Sequence, residues 1–108
     1  MKRTRQYLAL AAASVLGLGI ATPALADGDV VCGGGPKDKW QPENRLKKEA
    51  WLEGWEILKV QVEGDCYEVY ARTEQGQAIE AFFHPVTLQK LVVFRRGQEI
   101  YRAKGFKG

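Results

Sequence analysis

Two cysteines, Cys32 and Cys66, are the residues of this 108-residue chain with the most reactive side chains. A cysteine can act as a nucleophile, as a metal ligand or as half of a disulfide, and each role needs different neighbours. A nucleophilic thiolate needs a base beside it, and a zinc site needs more ligands than two cysteines and the one histidine provide. We therefore expect a Cys32–Cys66 disulfide, with no metal site and no cofactor.

The other residue types that could support catalysis are few. The single serine, Ser14, lies in an N-terminal segment that we expect to be removed, which excludes serine-based nucleophilic catalysis. His84 directly precedes a proline and is expected to be a turn residue rather than a general base. Glu68 and Glu80 could form an acid/base pair on neighbouring strands, but both alternate with apolar residues and are expected to face solvent. We predict no catalytic residue and no enzyme.

The first 26 residues have the layout of a secretory signal peptide. Three basic residues precede an apolar segment at residues 8–20, and residues 24–26 form an A-x-A cleavage signal. The apolar segment is short for a membrane span, and retention as a membrane anchor is the alternative to cleavage. Cleavage after Ala26 predicts a periplasmic or secreted protein in an oxidising compartment, where a disulfide persists.

Removal of this segment changes the charge of the protein. Three of the sixteen Lys and Arg residues precede residue 27, so thirteen remain against thirteen Asp and Glu, a net charge of zero. Nothing in this balance favours nucleic acid as a partner. The charge is unevenly distributed, with seven basic and twelve acidic residues in 27–89 but six basic and one acidic in 90–108.

The mature chain of 82 residues is expected to form a single domain. We expect a flexible Gly-rich arm at residues 27–39, a folded domain at residues 40–95, and a basic tail or short strand at residues 96–108. A core this small is marginal. A disulfide that ties the arm to the domain would stabilise the fold by about 3–4 kcal/mol through its effect on the unfolded chain.

One helix is expected at the start of the folded domain. The segment at residues 40–55 has Pro42 suited to the first helical position and Gly54 suited to the position just past the end. Leu46 and Ala50 lie four residues apart and form one apolar face. A helix of this length can cover only one face of another element, so the remaining residues must supply that element.

The residues after the helix alternate between apolar and polar side chains, and turn signals separate the alternating segments. This pattern predicts an antiparallel meander of four to five strands, because short turns exclude parallel pairing. A change of phase near Ile57 and Leu58 predicts a β-bulge in the first strand. The fold class is therefore α+β, with one N-terminal helix packed on the meander.

The alternation also assigns residues to the two faces of the sheet. Tyr67 is expected under the helix, whereas Cys66, Tyr70 and Phe82 are expected on the opposite face. The disulfide should therefore hold residues 27–35 across that opposite face. Tyr70 and Phe82 would be outward-facing aromatic residues among charges, which is typical of an interface centre. The structural interpretation is favoured over this one, because the arm stapled at Cys66 must lie on the same side.

The segment GWEILKVQVEGDCYEVYARTEQGQAIEAFFHPVTLQKL resembles a PepSY domain of the short form found in small exported bacterial proteins. The shared features are a helix ending in Gly54-Trp55, a hairpin at residues 64–69, a turn glycine at Gly76 and a Pro-x-Thr turn at residues 85–87. The resemblance covers about residues 40–94. The order and spacing of the shared features are more specific than any one feature alone.

Two positions depart from the PepSY pattern. His84 replaces the aspartate that usually precedes the proline, and Leu88 replaces the glycine that usually closes the same turn. We expect a looser turn, or one of another type, at this place. PepSY modules occur in propeptides of secreted metallopeptidases and in envelope proteins, so the resemblance implies a non-catalytic protein-binding module that restrains or modulates a peptidase.

The basic C-terminal segment adds a hypothesis about partners. An acidic protein partner is one possibility, and an anionic membrane surface or a small ligand of the envelope is the alternative. The structural interpretation is that the last strand pairs beside acidic neighbours and stays solvated. The candidate partner-binding residues are Tyr70, Phe82, Arg95, Arg96, Tyr101 and Arg102.

Overall fold

A computed structural model describes residues 30–108, and the predicted signal peptide lies outside this range. After a 3-10 turn at Lys37–Lys39 come helix α1 (Glu43–Leu52) and strands β1 (Glu56–Glu63), β2 (Cys66–Arg72), β3 (Ala78–Phe83), β4 (Lys90–Arg95) and β5 (Gln98–Arg102). The strands form one antiparallel sheet in chain order. The predicted α+β class is confirmed. No helix within residues 30–108 has the length and apolar character needed to cross a bilayer.

Helix α1 begins one residue later than predicted. Pro42 has an extended backbone (φ −69°, ψ 154°) and is the N-cap, with a carbonyl that accepts the backbone N–H of Arg45 at 3.0 Å. At the other end Gly54 adopts a φ of 84°. The N–H of Gly54 donates to the Trp51 carbonyl, and the N–H of Trp55 donates to the Ala50 carbonyl. This pair of bonds is a Schellman motif, which explains why a glycine is needed there.

Helix α1 covers one face of the sheet, here called the helix face. Leu46 and Ala50 are fully buried, as the sequence predicted. Two tryptophans close the sides of the helix-face cluster, with Trp40 packed edge-on at 5.2 Å from the Tyr67 ring and Trp55 at 6.3 Å from the Phe83 ring. The sheet residues of the cluster are Tyr67, Val69, Ala71, Ile79, Ala81, Phe83 and Val93.

The opposite face, here called the arm face, is buried in part by both ends of the described chain. The Cys32–Cys66 disulfide (S–S 2.05 Å) lies there, and Val30 and Phe106 pack on the same apolar cluster. The predicted disulfide and the predicted side of the arm are thus confirmed. The other members of the arm-face cluster are Phe82, Leu91, Val92, Phe94 and Ala103.

The predicted bulge in β1 is confirmed. The pairing of β1 with β2 shifts between Ile57 and Lys59, so Leu58 is the extra residue and is 49% exposed. A bulge of this kind bends an edge strand and interrupts its ladder of hydrogen bonds. Strand β1 is therefore a poor template for pairing with another strand at this point.

The turn between β3 and β4 keeps its hydrogen bonds despite its two unusual residues. Nδ1 of His84 accepts the backbone N–H groups of Val86 (3.1 Å) and Thr87 (3.2 Å), as an aspartate oxygen could. Leu88 adopts a φ of 61°, and its N–H donates to the His84 carbonyl at 2.8 Å. The turn is therefore closed, although a leucine in this left-handed conformation costs about 1–2 kcal/mol.

Candidate partner-binding site

Phe82 does not lie at the surface, so it was wrong as a partner-binding candidate, and the expected structural use beneath the arm is confirmed for it. The Phe82 side chain is fully buried in the arm-face cluster, with its ring edge-on at 6.0 Å from that of Phe94. Val30 and Phe106 cover this part of the sheet. Tyr70, farther along β2, stays half-buried, and its hydroxyl donates to Oε2 of Glu80 at 3.4 Å.

Glu68 is also buried, where the sequence predicted a solvent-facing residue. Its Oε1 accepts a hydrogen bond from Nε2 of Gln61 at 2.7 Å, whereas its Oε2 has no hydrogen-bond partner among the described residues. In the register of β2 with β3, Glu68 lies opposite Phe82, and Glu80 lies opposite Tyr70. The two carboxylates therefore do not face each other, and they do not form the acid/base pair that was considered.

Arg102 contributes to the packing of the C-terminal segment. Its guanidinium makes two hydrogen bonds to the Glu99 carboxylate, at 2.7 and 3.0 Å, and a third to the Phe106 carbonyl at 3.2 Å. The hydrogen bond from Arg102 holds the pKa of the exposed Glu99 carboxyl below its usual value. For Arg102 the structural interpretation is the better one, because three of its five N–H donors are already used within the chain.

Tyr101 lies on the helix-face side of β5 and is separated by the sheet from Tyr70. Tyr101 pairs with Val93, which belongs to the helix-face cluster, and 39% of the surface of Tyr101 is exposed. Nζ of Lys90 lies 4.2 Å from the centre of the Tyr101 ring and 3.0 Å from Oε1 of Glu53. Tyr101 and Arg102 therefore do not join the other candidate residues in one site.

Arg95 and Arg96 lie at the turn between β4 and β5. Arg96 and Gly97 both have positive φ, 53° and 77°, which is the pattern of a two-residue type I′ turn. Nη1 of Arg95 donates to Oε1 of Gln77 at 2.9 Å and so links this turn to the turn between β2 and β3. Within residues 30–108 neither arginine has a carboxylate at ion-pair distance.

Two adjoining depressions surround these arginines. One, of about 490 Å³, is lined by Gly76, Gln77, Ala78, Arg95 and Arg96. The other, of about 220 Å³, is lined by Tyr70, Phe94 and Glu80 and again by Ala78 and Arg96. We call Tyr70, Gln77, Ala78, Phe94, Arg95 and Arg96 the turn-end surface. It combines two cations with two half-buried aromatic rings, a composition suited to a carboxylate-bearing partner surface.

Asp65 is a structural residue that the sequence analysis missed. Its carboxylate accepts the backbone N–H groups of Cys32 (2.9 Å), Gly33 (2.7 Å) and Gly34 (3.1 Å), and so fixes residues 32–34 to the β1–β2 turn. Desolvation raises the pKa of this carboxyl, but these hydrogen bonds outweigh it, and the pKa lies below its usual value. An aspartate beside Cys66 and a glycine run after Cys32 were the available signals. The flexibility predicted for residues 27–39 stays a prediction.

A carboxylate oxygen of Asp65 also lies within 4.8 Å of both cysteine sulfurs. This arrangement could hold a metal ion only if the two cysteines were reduced to thiolates. Both sulfurs belong to the disulfide, so neither is a thiolate, and thiolates are the form in which cysteine binds metals. The Asp65 oxygens are already hydrogen-bonded to the backbone of the arm. This cluster is therefore explained by its structural role.

Comparison with known families gives one match. A sequence model described as peptidase propeptide and YPEB domain, of the PepSY type, matches residues 7–92. The matched range includes α1 and strands β1 to β3, and it begins before the first described residue. No curated protein and no solved structure matches the chain significantly.

Proposed function

We propose that this chain, which belongs to the family of peptidase propeptide and YPEB domains, is a non-catalytic protein-binding module that restrains or modulates a peptidase in the cell envelope. Modules of this family are associated with peptidase propeptides, which favours a protein as the partner. They are typical of exported proteins, and the disulfide between Cys32 and Cys66 fits an extracytoplasmic location. The signal peptide at residues 1–26 and a periplasmic or secreted location are part of this proposal.

The turn-end surface is the observation that carries the proposal. Arg95 and Arg96 lie beside half-buried aromatic rings, and neither has a carboxylate at ion-pair distance among residues 30–108, although Glu80 lines the same depression as Arg96. Arginine and aromatic residues are enriched at the centres of protein interfaces. The partner therefore presents one or more Asp or Glu side chains to this end of the sheet.

The positions of the reactive groups support a role in binding rather than catalysis. The sulfur atoms of both cysteines are joined in a disulfide, and Nδ1 of His84 accepts two backbone hydrogen bonds in its turn. The carboxylate of Glu68 is fully buried. Each of these groups therefore has limited access to a substrate.

A cross-linking pull-down from an envelope extract tests the proposal. The bait is the exported protein, compared with an Arg95→Gln/Arg96→Asn variant, in which asparagine suits the positive φ of the turn. The matched control is Lys104→Gln/Lys107→Asn, which removes two exposed charges from the C-terminal segment. We expect a peptidase to be recovered with the unmodified protein and the control, and to be depleted with the arginine variant.

Two results would contradict the proposal. Equal recovery of the same partner with both variants would exclude the turn-end surface as its binding site. Recovery of no protein, together with salt-sensitive binding to vesicles of anionic lipid, would favour the alternative function of an envelope-surface binder.

A further inference from the structure

A groove of about 580 Å³ runs between helix α1 and the turn that connects β3 to β4. One wall is a stripe of helix residues spaced by three and four positions, so their side chains lie on the same side of α1. The other wall is the turn at residues 86–88. The helix wall consists of Arg45, Lys48, Glu49 and Leu52, and Gln41 lies at its N-terminal end.

The two walls of the groove are held together by hydrogen bonds. The N–H of Gln41 donates to the Pro85 carbonyl at 2.9 Å, and the carbonyl of Gln41 accepts the hydroxyl of Tyr67 at 2.7 Å. The turn itself is closed by the bonds to His84. A groove with fixed walls loses little conformational entropy when it binds a ligand.

The groove is cationic at one end and apolar at the other. Arg45 and Lys48 are exposed, and neither has a carboxylate at ion-pair distance among residues 30–108, even though Glu49 is on the same stripe. Leu52, at the other end of the stripe, is 62% exposed. Opposite the helix, Leu88 lines the groove from its left-handed conformation, a position where a glycine would provide no apolar wall.

The distances along the helix define the ligand. Lys48 and Leu52 are four residues apart, which corresponds to about 6 Å along α1. Two residues of an extended chain span about 6.7 Å and place their side chains on the same side. An acidic side chain and a large apolar side chain two positions later would therefore reach the cationic and the apolar ends together.

We propose that this groove binds an extended segment of the partner protein with the pattern acidic residue, any residue, large apolar residue. The acidic side chain pairs with Arg45 and Lys48, and the apolar side chain packs on Leu52 and Leu88. This inference rests on the proposed function in one respect, namely that the partner is a protein. It adds a second contact surface, on the side of the molecule away from the arm face.

An NMR titration with a synthetic peptide tests the groove. The capped heptapeptide GGEGLGG carries the pattern, GGQGLGG lacks the charge, and GGELGGG has the leucine one position too early. The ¹⁵N-labelled protein is produced from the full chain. With GGEGLGG we expect concentration-dependent shifts of the backbone signals of Leu52, Thr87 and Leu88, and none at Gln77 in the turn-end surface. The two other peptides should bind about two- to tenfold more weakly.

Matched variants separate the groove from general electrostatic attraction. Arg45→Gln/Lys48→Gln should weaken binding of GGEGLGG by about two- to tenfold, because glutamine keeps the helix propensity and removes both charges. Lys39→Gln/Lys47→Gln removes two exposed charges outside the groove and should change the affinity less than twofold. An NMR spectrum of each free variant that differs from that of the unmodified protein only near the substituted residues would verify that the variant is folded.

The inference is overturned if GGEGLGG shifts no groove signal, or if GGQGLGG binds equally well. Failure of the inference is distinguishable from failure of the proposed function. If the pull-down recovers a peptidase whose capture is insensitive to Arg45→Gln/Lys48→Gln, the groove inference fails and the proposed function stands. If the peptide binds in the groove but no envelope protein is captured, the proposed function fails instead.

Discussion

We expect the substitution Glu68→Met to raise the stability of the folded protein, because it removes a buried charge that lacks a full set of hydrogen bonds. Glu68 is fully buried on the arm face, between Gln61 on β1 and Phe82 on β3. Its Oε2 has no hydrogen-bond partner among the described residues. Methionine has a similar length and can adapt its shape to the cluster. Gln61 is half-exposed, so its amide can bond to water instead.

The size of the effect follows from three contributions to the free energy of unfolding. The substitution removes the 2.7 Å hydrogen bond that Gln61 donates to Glu68. A hydrogen bond to a charged acceptor contributes about 1.5–3 kcal/mol. The substitution also removes the penalty for the buried, unsatisfied Oε2, about 1–3 kcal/mol, and it adds about 1.5–3 kcal/mol from burial of the apolar side chain. The net stabilisation should be about 1–3 kcal/mol, which corresponds to a rise in Tm of roughly 5–15 °C for a domain of this size.

Urea denaturation at neutral pH, followed by tryptophan fluorescence, measures this change. Glu68→Gln removes the charge but leaves a second polar group to satisfy, so its stability should lie between those of the unmodified protein and Glu68→Met. The control Glu74→Met removes an exposed carboxylate and should change stability by less than about 0.5 kcal/mol. A destabilisation of more than 1 kcal/mol by Glu68→Met would refute the reasoning, since it would mean that a donor or cation satisfies Oε2 in the folded protein.

Three further predictions concern the arm and the turns. Cys32→Ala/Cys66→Ala opens a loop with a sequence separation of 34 residues and should cost about 3–4 kcal/mol, and equal stability of the variant and the unmodified protein in denaturant would contradict this. Asp65→Asn should cost about 1–2 kcal/mol at neutral pH through weaker bonds to the arm. The lowered folded-state pKa of Asp65 means that this stabilisation is present above the unfolded value of about 3.9 and is lost as pH falls through the folded value. Stability curves of the two proteins that stay parallel down to pH 2 would rule out the carboxylate as the source. Arg96→Asn should raise Tm by stabilising the type I′ turn by about 0.5–1 kcal/mol, and a lower Tm would show that the arginine makes a compensating contact.

The local elements of the fold were predictable because their signals are local. The position of Gly54 predicts the end of α1, since only a residue that tolerates a φ of 84° forms the observed Schellman motif. The phase change near Leu58 predicts the bulge in β1, and the alternation in β2 predicts that Cys66 and the arm share a face. The start of α1 differed from the prediction by one residue. Proline prefers the same φ at the N-cap as at the first helical position, so its presence does not distinguish the two.

The burial of the arm face was predictable only in part, because the disulfide places the arm there but no local signal places the C-terminal segment there. Alternation indicates which residues share a face, but it does not indicate what covers that face. Phe82 is buried in a cluster on which Val30 and Phe106 pack, and these two residues come from distant parts of the chain. The tail residues carry no periodic pattern that would indicate this packing.

The candidate site was predicted only in part, for a related reason. The sequence placed Arg95, Arg96, Tyr101 and Arg102 in one basic segment, but strand pairing distributes them over two faces and one turn. Arg102 pairs with Glu99, three residues earlier, whereas Arg95 and Arg96 form no ion pair among residues 30–108. Which arginines stay unpaired depends on the register of β4 with β5, and the bulge at Ile100 that sets this register has no clear sequence signal.

Site-specific photo-cross-linking tests the central claim, which is that the turn-end surface binds a peptidase. A photoreactive phenylalanine analogue would replace Ala78, an exposed residue that lines both depressions beside Arg96. A control protein would carry the analogue at Lys107, which is exposed and lies outside this surface. After irradiation of intact cells, the account predicts a covalent adduct from position 78 that contains a peptidase and is absent from position 107. Failure to form an adduct at position 78, or the same adducts from both positions, would contradict it.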